Sequence, residues 1–69
     1  MGTLNLMVNG EAQQLPEGGT VSDLLQKLGF RTDGVAVAID RQVVPRSQHA
    51  VRVLEDGVEI EVIRAVGGG

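Results

Sequence analysis

An apolar alternation that runs into Asn-Gly opens the chain and limits what can follow it. Leu4, Leu6 and Val8 alternate with Asn5 and Met7 and lead to Asn9-Gly10. A period of two puts the three apolar residues on one face of a strand. Asn and Gly both tolerate the positive φ of a type I′ turn, so the chain doubles back as a hairpin. The return strand runs from about Glu11 to Leu15, and Pro16-Glu17-Gly18-Gly19 breaks it. A two-stranded ribbon is not stable alone in water, so a later segment has to cover its apolar face.

The next segment has the pattern for that task. Thr20 suits a helix N-cap, and Asp23 three residues on completes a capping box with a shorter acid. Val21, Leu24, Leu25 and Leu28 form one apolar stripe at helical spacing, Ser22, Gln26 and Lys27 take the other face, and Gly29 closes the helix in the left-handed conformation. So short a helix depends on packing against a sheet. Val35-Ala36-Val37-Ala38-Ile39 is a nearly continuous apolar run that predicts a strand covered on both faces, with Ala36 and Ala38 leaving room for a close helix. Asp40-Arg41 turns the chain, Gln42-Val43-Val44 extends it again and Pro45 ends it. Residues 46–52 lack periodicity. Glu55-Asp56-Gly57 is a further turn, after which Val58, Ile60 and Val62 alternate with Glu59 and Glu61 in a last strand with one wet face. Ile63 departs from that alternation, as it would where a strand end is covered. The order predicts an α+β fold in two layers, a mixed sheet of four to five strands crossed by one main helix, which is the β-grasp or ubiquitin-like arrangement. The domain spans residues 1–64, and a flexible glycine tail spans residues 65–69.

Composition removes most other kinds of function. The 69 residues hold no cysteine, which excludes a disulfide scaffold, a thiolate metal site and a persulfide carried on a side chain. The single histidine, His49, makes no metal site alone, and the sequence reads it as a surface residue. Phe30 is the one aromatic residue and gives no platform for stacked bases, while a net charge of −3 is the wrong sign for tracking phosphates, so no nucleic-acid partner is expected. No apolar run approaches membrane-spanning length and no signal-peptide pattern opens the chain, which predicts a cytoplasmic protein without a membrane partner. No nucleophile with a base, metal cluster or cofactor motif marks the chain as an enzyme.

The chain closes on Ala65-Val66-Gly67-Gly68-Gly69. Three glycines bury nothing and lose more entropy on ordering than any other residues, so they do not stabilise a fold. What they offer is reach and thinness. Five extended residues span roughly 17 Å, and Gly67 and Gly68, lacking Cβ atoms, pass through a channel too narrow for other side chains. The group delivered is the carboxylate of Gly69. A carboxylate becomes an acyl donor once ATP converts it to an acyl-adenylate. Gly18-Gly19 is not followed by a phosphate-binding lysine, so the chain binds no cofactor of its own and the ATP is used by an activating partner.

These features together resemble the ThiS family, the sulfur carriers of thiamine biosynthesis. The resemblance rests on Val8-Asn9-Gly10-Glu11, Thr20-Val21-Ser22-Asp23-Leu24-Leu25, Val35-Ala36-Val37-Ala38, Val44-Pro45-Arg46-Ser47-Gln48-His49-Ala50, and Ile60-Glu61-Val62 leading to the terminal glycines. It covers nearly the whole chain, with the Val-Pro-Arg-Ser-Gln segment and the glycines its most specific parts. Where the family reads Asp-Gly-Asp before the last strand, this chain has Asp56-Gly57-Val58, read as a local surface change. The resemblance implies that a ThiF-like adenylyltransferase adenylates Gly69, that a persulfide sulfur donor replaces AMP to leave a thiocarboxylate, and that a ThiG-like thiazole synthase receives the sulfur.

Arg46 and Gln48, in a polar stretch between strands, are weighed as contacts for the activating enzyme against a plain connection. Glu59 and Glu61, on one face of the last strand, are weighed as contacts for a basic patch against a solvated edge. Leu4, Leu6, Val43 and Val62 are candidates for an exposed apolar docking patch. The competing functions are a carrier for another route (molybdopterin, cysteine or a sulfur-containing natural product), a ubiquitin-like modifier conjugated through Gly69, and an interaction module with an incidental tail.

Overall fold

The last strand in the sequence is the middle strand of the sheet. The computed structural model describes residues 2–30 and 34–64. In chain order the elements are β1 (Thr3–Val8), β2 (Glu11–Pro16), α1 (Val21–Leu28), β3 (Val35–Ile39), β4 (Gln42–Val44), a 3₁₀ turn (Arg46–Gln48) and β5 (Glu59–Arg64). The sheet order is β2-β1-β5-β3-β4. β5 runs parallel to β1, with Met7 opposite Glu59 and Val8 opposite Ile60. It runs antiparallel to β3, from Ile39–Ile60 to Val35–Arg64. This is the expected mixed sheet with one helix. The tail expected over residues 65–69, with Gly67, Gly68 and Gly69, lies outside the described residues, and so does the division of the chain at residue 65.

Local chemistry accounts for each turn. Asn9 (φ 52°) and Gly10 (φ 82°) make the tight turn that joins β1 to β2. Asp40 (φ 48°) and Arg41 (φ 69°) make the turn between β3 and β4 with no glycine. That conformation is costly for a non-glycine residue. Asp40 is held there by Glu59, whose N–H donates to Asp40 Oδ1 at 3.1 Å and whose carbonyl accepts from Asp40 N at 2.8 Å.

The helix is closed at both ends. Thr20 Oγ1 accepts from Asp23 N, and Asp23 Oδ2 accepts from Thr20 N, which completes the capping box. The next two N–H groups, of Val21 and Ser22, donate to the carbonyls of Arg52 and His49 at 3.1 and 2.9 Å. The segment without periodicity is thus the lid of the helix N-terminus. At the other end Gly29 (φ 81°) and Phe30 donate to the carbonyls of Gln26 and Leu25, the paired bonds of a Schellman motif. Eight residues of helix would not persist alone. Val21, Leu24 and Leu25 are fully buried against Leu4, Leu6, Val8, Leu15, Val37, Ile39, Ile60 and Val62 of the sheet.

Four expectations are corrected by this arrangement. In β3 only Val37 and Ile39 are buried; Ala36 is exposed and Ala38 half-buried, so the strand is covered on one face and the alanines lie away from the helix. Small apolar residues on the outer face gave the run its continuous look. Ile63 is 59% exposed, so the end of β5 is uncovered on that side. Val58 is half-buried against the core and is no surface change. His49 is buried, with Nε2 at 3.2 Å from the Val44 carbonyl. Its own carbonyl has to reach the helix N-terminus, and that approach carries the ring inside.

Two substitutions measure what holds the helix down. Thr20→Ala is expected to lower unfolding free energy by about 1 kcal/mol through loss of the cap, and Leu24→Ala by about 3 kcal/mol through loss of buried volume. Urea denaturation of the three proteins checks both values.

Candidate functional site

The last described element, β5, ends at Arg64, and the candidate site is built around that end. On one side β3 still pairs with it, Val35 standing opposite Arg64. On the other side β1 stops at Val8. Beyond it Asn9 continues the ladder. Its backbone N–H donates to the Ile60 carbonyl at 2.9 Å, Nδ2 donates to the Val62 carbonyl at 3.1 Å, and Oδ1 accepts from Val62 N at 2.9 Å. On the helix side, the Arg64 guanidinium lies 5.2 Å from the centroid of the Phe30 ring, within cation–π range. The final described residues are tied on three sides.

The face of the sheet away from α1 is open. Its β5 row is Glu59, Glu61 and Ile63, all exposed. Cross-strand pairing sets Met7 beside Glu59, Ala38 between Glu61 and Val43, and Ala36 beside Ile63. Met7, Ile63 and Val43 expose 43%, 59% and 76% of their surface, which leaves an apolar band whose middle is cut only by two carboxylates. A surface of that kind suits a partner carrying apolar groups with basic residues between them.

The candidates named from sequence divide accordingly. Glu59 and Glu61 are brought together on this face. Val43 belongs to it as well, but Leu4, Leu6 and Val62 do not: all three are buried under the helix, because an alternating strand presents its larger apolar side chains to the core. Arg46 and Gln48 are exposed in the 3₁₀ turn that follows edge strand β4, beside the face and not on the β5 row. Gly67, Gly68 and Gly69 lie outside the described residues. Sequence reading missed Met7, Ala36, Ala38 and Ile63 as members of the face. The alternation of alanine with larger residues in β3 was the available signal. It also missed the Asn9 side chain, since Asn-Gly was fully accounted for as a turn.

Among the described residues no group of three or more histidines, aspartates or glutamates could hold a metal ion, and no helix is long and apolar enough to cross a membrane. The arrangement is an open sheet face beside the last described residues.

Comparison with known proteins fits this geometry. Residues 4–69 match the model of the ThiS family. The sulfur carrier protein ThiS of Escherichia coli strain K12 is 38% identical over 66 residues, covering 96% of this chain and all of that protein. A thiazole synthase of Paramagnetospirillum magneticum is 35% identical over a similar stretch that makes up only 20% of its own length. Among solved structures, the crystal structure of the thiamine biosynthesis protein ThiS from Geobacter metallireducens superposes with a TM-score of 0.79 at 29% identity, covering 96% of this chain and all of that one.

The assignment of faces has a direct test. Val43→Ser and Ile63→Ser are expected to change stability by less than about 0.5 kcal/mol, as exposed sites do. Val62→Ser, one residue from Ile63, is expected to cost more than about 2 kcal/mol because it buries an unpaired hydroxyl in place of packed methyls. Thermal unfolding of the three variants checks the contrast.

Proposed function

The chain belongs to the ThiS family, and from that premise we propose that it works through the C-terminal carboxylate of Gly69, loaded with sulfur as a thiocarboxylate. It is a sulfur carrier of thiamine biosynthesis and not itself a catalyst. The observation that carries the finer reading is that the family match runs through the tail to residue 69, while Glu59, Glu61, Ile63 and Val43 stand exposed on the open sheet face.

The chemistry follows from what a carboxylate lacks. It has no leaving group, so an oxygen of Gly69 attacks the α-phosphorus of ATP on a ThiF-like adenylyltransferase, and pyrophosphate departs. The resulting acyl-adenylate is open to the terminal sulfur of a persulfide donor, which adds to the carbonyl carbon and expels AMP. A thiol then attacks the bridging disulfide bond and frees the C-terminal thiocarboxylate. That group keeps sulfur nucleophilic while tethering it to a protein. A thiazole synthase is the acceptor this reading favours, and the synthases that contain a stretch similar to this chain support it. ATP belongs to the activating enzyme throughout, which puts the cycle in the cytoplasm.

The folded part of the chain supplies recognition. Gly67 and Gly68 thread the partner's channel, and the open face docks on its surface. Glu59 and Glu61 meet basic residues there, with Arg46 and Gln48 at the margin.

Intact mass spectrometry tests the terminal chemistry. Incubation with the adenylyltransferase, ATP and a persulfide donor is expected to give a mass gain of one sulfur in place of one oxygen, and a chain lacking Gly69 is expected to show none. Glu61→Lys in the full chain is expected to raise KM for the carrier severalfold with kcat unchanged, the pattern of a lost docking contact; initial rates of pyrophosphate release read both constants.

A further inference from the structure

Nothing in the hairpin turn itself requires asparagine at position 9. Glycine or aspartate would also accept its φ of 52°. What those residues lack is a side chain that both donates and accepts with the spacing of a peptide group. Asn9 uses both functions on one residue of β5, donating from Nδ2 to the Val62 carbonyl and accepting at Oδ1 from the Val62 N–H. The pair of bonds also fixes which way the amide points, since the reverse orientation would set oxygen against oxygen and N–H against N–H. It is a strand made of one side chain, placed where β1 has turned away.

We propose that Asn9 is a positioning residue for sulfur loading: by pairing with both backbone groups of Val62 it fixes the end of β5, to which residues 65–69 are joined. The proposal rests on the reading of Gly69 as the loaded terminus. Without the Asn9 side chain the β1 side of Val62 is unpaired among the described residues, which leave β3 and the Arg64–Phe30 contact to hold the outer residues of β5. The tail is short. Five residues reach at most roughly 17 Å, so a loosened end of β5 lowers the fraction of time the carboxylate spends in line with ATP. Such a loss falls on the reactive geometry and leaves the docking face itself intact.

The variant Asn9→Gly separates this role from the turn, because glycine keeps the backbone conformation and removes only the amide. Melting curves establish that it folds. Amide exchange by NMR is expected to show the Val62 N–H exchanging at least about tenfold faster than in the wild type, with Ile39 unchanged. In loading assays with the adenylyltransferase and ATP, kcat is expected to fall about tenfold while KM for the carrier stays within about twofold. Asn9→Asp keeps the acceptor for the Val62 N–H but sets a carboxylate oxygen against the Val62 carbonyl. It is therefore expected to lower kcat and Val62 protection at least as far as Asn9→Gly does, and it carries the test alone if Asn9→Gly does not fold. A folded variant with wild-type kcat, or with unaltered protection of Val62, overturns the proposal. Failure of the wild type itself to be loaded overturns the carrier reading and the proposal with it.

Discussion

Everything in this protein waits on β5. The strand comes last in the sequence and stands at the centre of the sheet, with the first hairpin on one side and the β3–β4 hairpin on the other. Before it is inserted, each hairpin is a two-stranded ribbon with an unpaired edge, and neither is stable by itself. The strand brings Ile60, fully buried, and Val62 into the core. It is seated by groups belonging to the two turns that flank it. Asp40 grips the backbone of Glu59 at its start, and Asn9 grips that of Val62 near its end. Both residues have positive φ. The unusual backbone of each turn therefore serves the strand that follows much later in the chain.

The same economy governs the helix. A chain of 69 residues with no cysteine has a small core and no covalent brace. Each buried leucine of α1 contributes roughly 2 kcal/mol, and a few unsatisfied N–H groups at its N-terminus would offset that gain. The structure leaves none of the first four amides without an acceptor: Val21 and Ser22 use carbonyls of Arg52 and His49, Asp23 uses the Thr20 hydroxyl, and Leu24 uses the Thr20 carbonyl. The cost is a segment with no more regular structure than the 3₁₀ turn at Arg46–Gln48, two of whose following carbonyls, those of His49 and Arg52, are committed to the helix.

That commitment explains what could be read from the sequence and what could not. Period-two and helical spacings, Asn9-Gly10, the Thr20–Asp23 box and Gly29 are local signals, and each gave its element nearly to the residue. The two-layer arrangement followed from their order. Burial of residues outside regular elements did not follow. His49 was read as exposed because no period marked it, yet its position is dictated by a helix end more than twenty residues away in the chain. The β3 alanines misled for the opposite reason: apolar residues of both sizes blurred an alternation that burial makes plain. For the open face, the acidic pair was legible in spacing and the apolar band around it only once registers were fixed, while the glycine tail, read from composition, lies outside the described residues.

A carrier of this kind has to meet two opposed demands. The terminal residues must be thin enough to enter another protein, and glycine achieves that by giving up every side-chain contact through which a partner could recognise it. Specificity then has to come from surface that does not enter the active site, which is what a one-sided sheet leaves available. Covering that face with a second helix would add stability and remove the docking surface proposed for it. Leaving it open makes the sheet depend on one helix, one central strand and the turn residues that clamp it. On the proposed docking reading, the construction of the fold is tied to its use: the face that a second layer could have covered is the one offered to a partner.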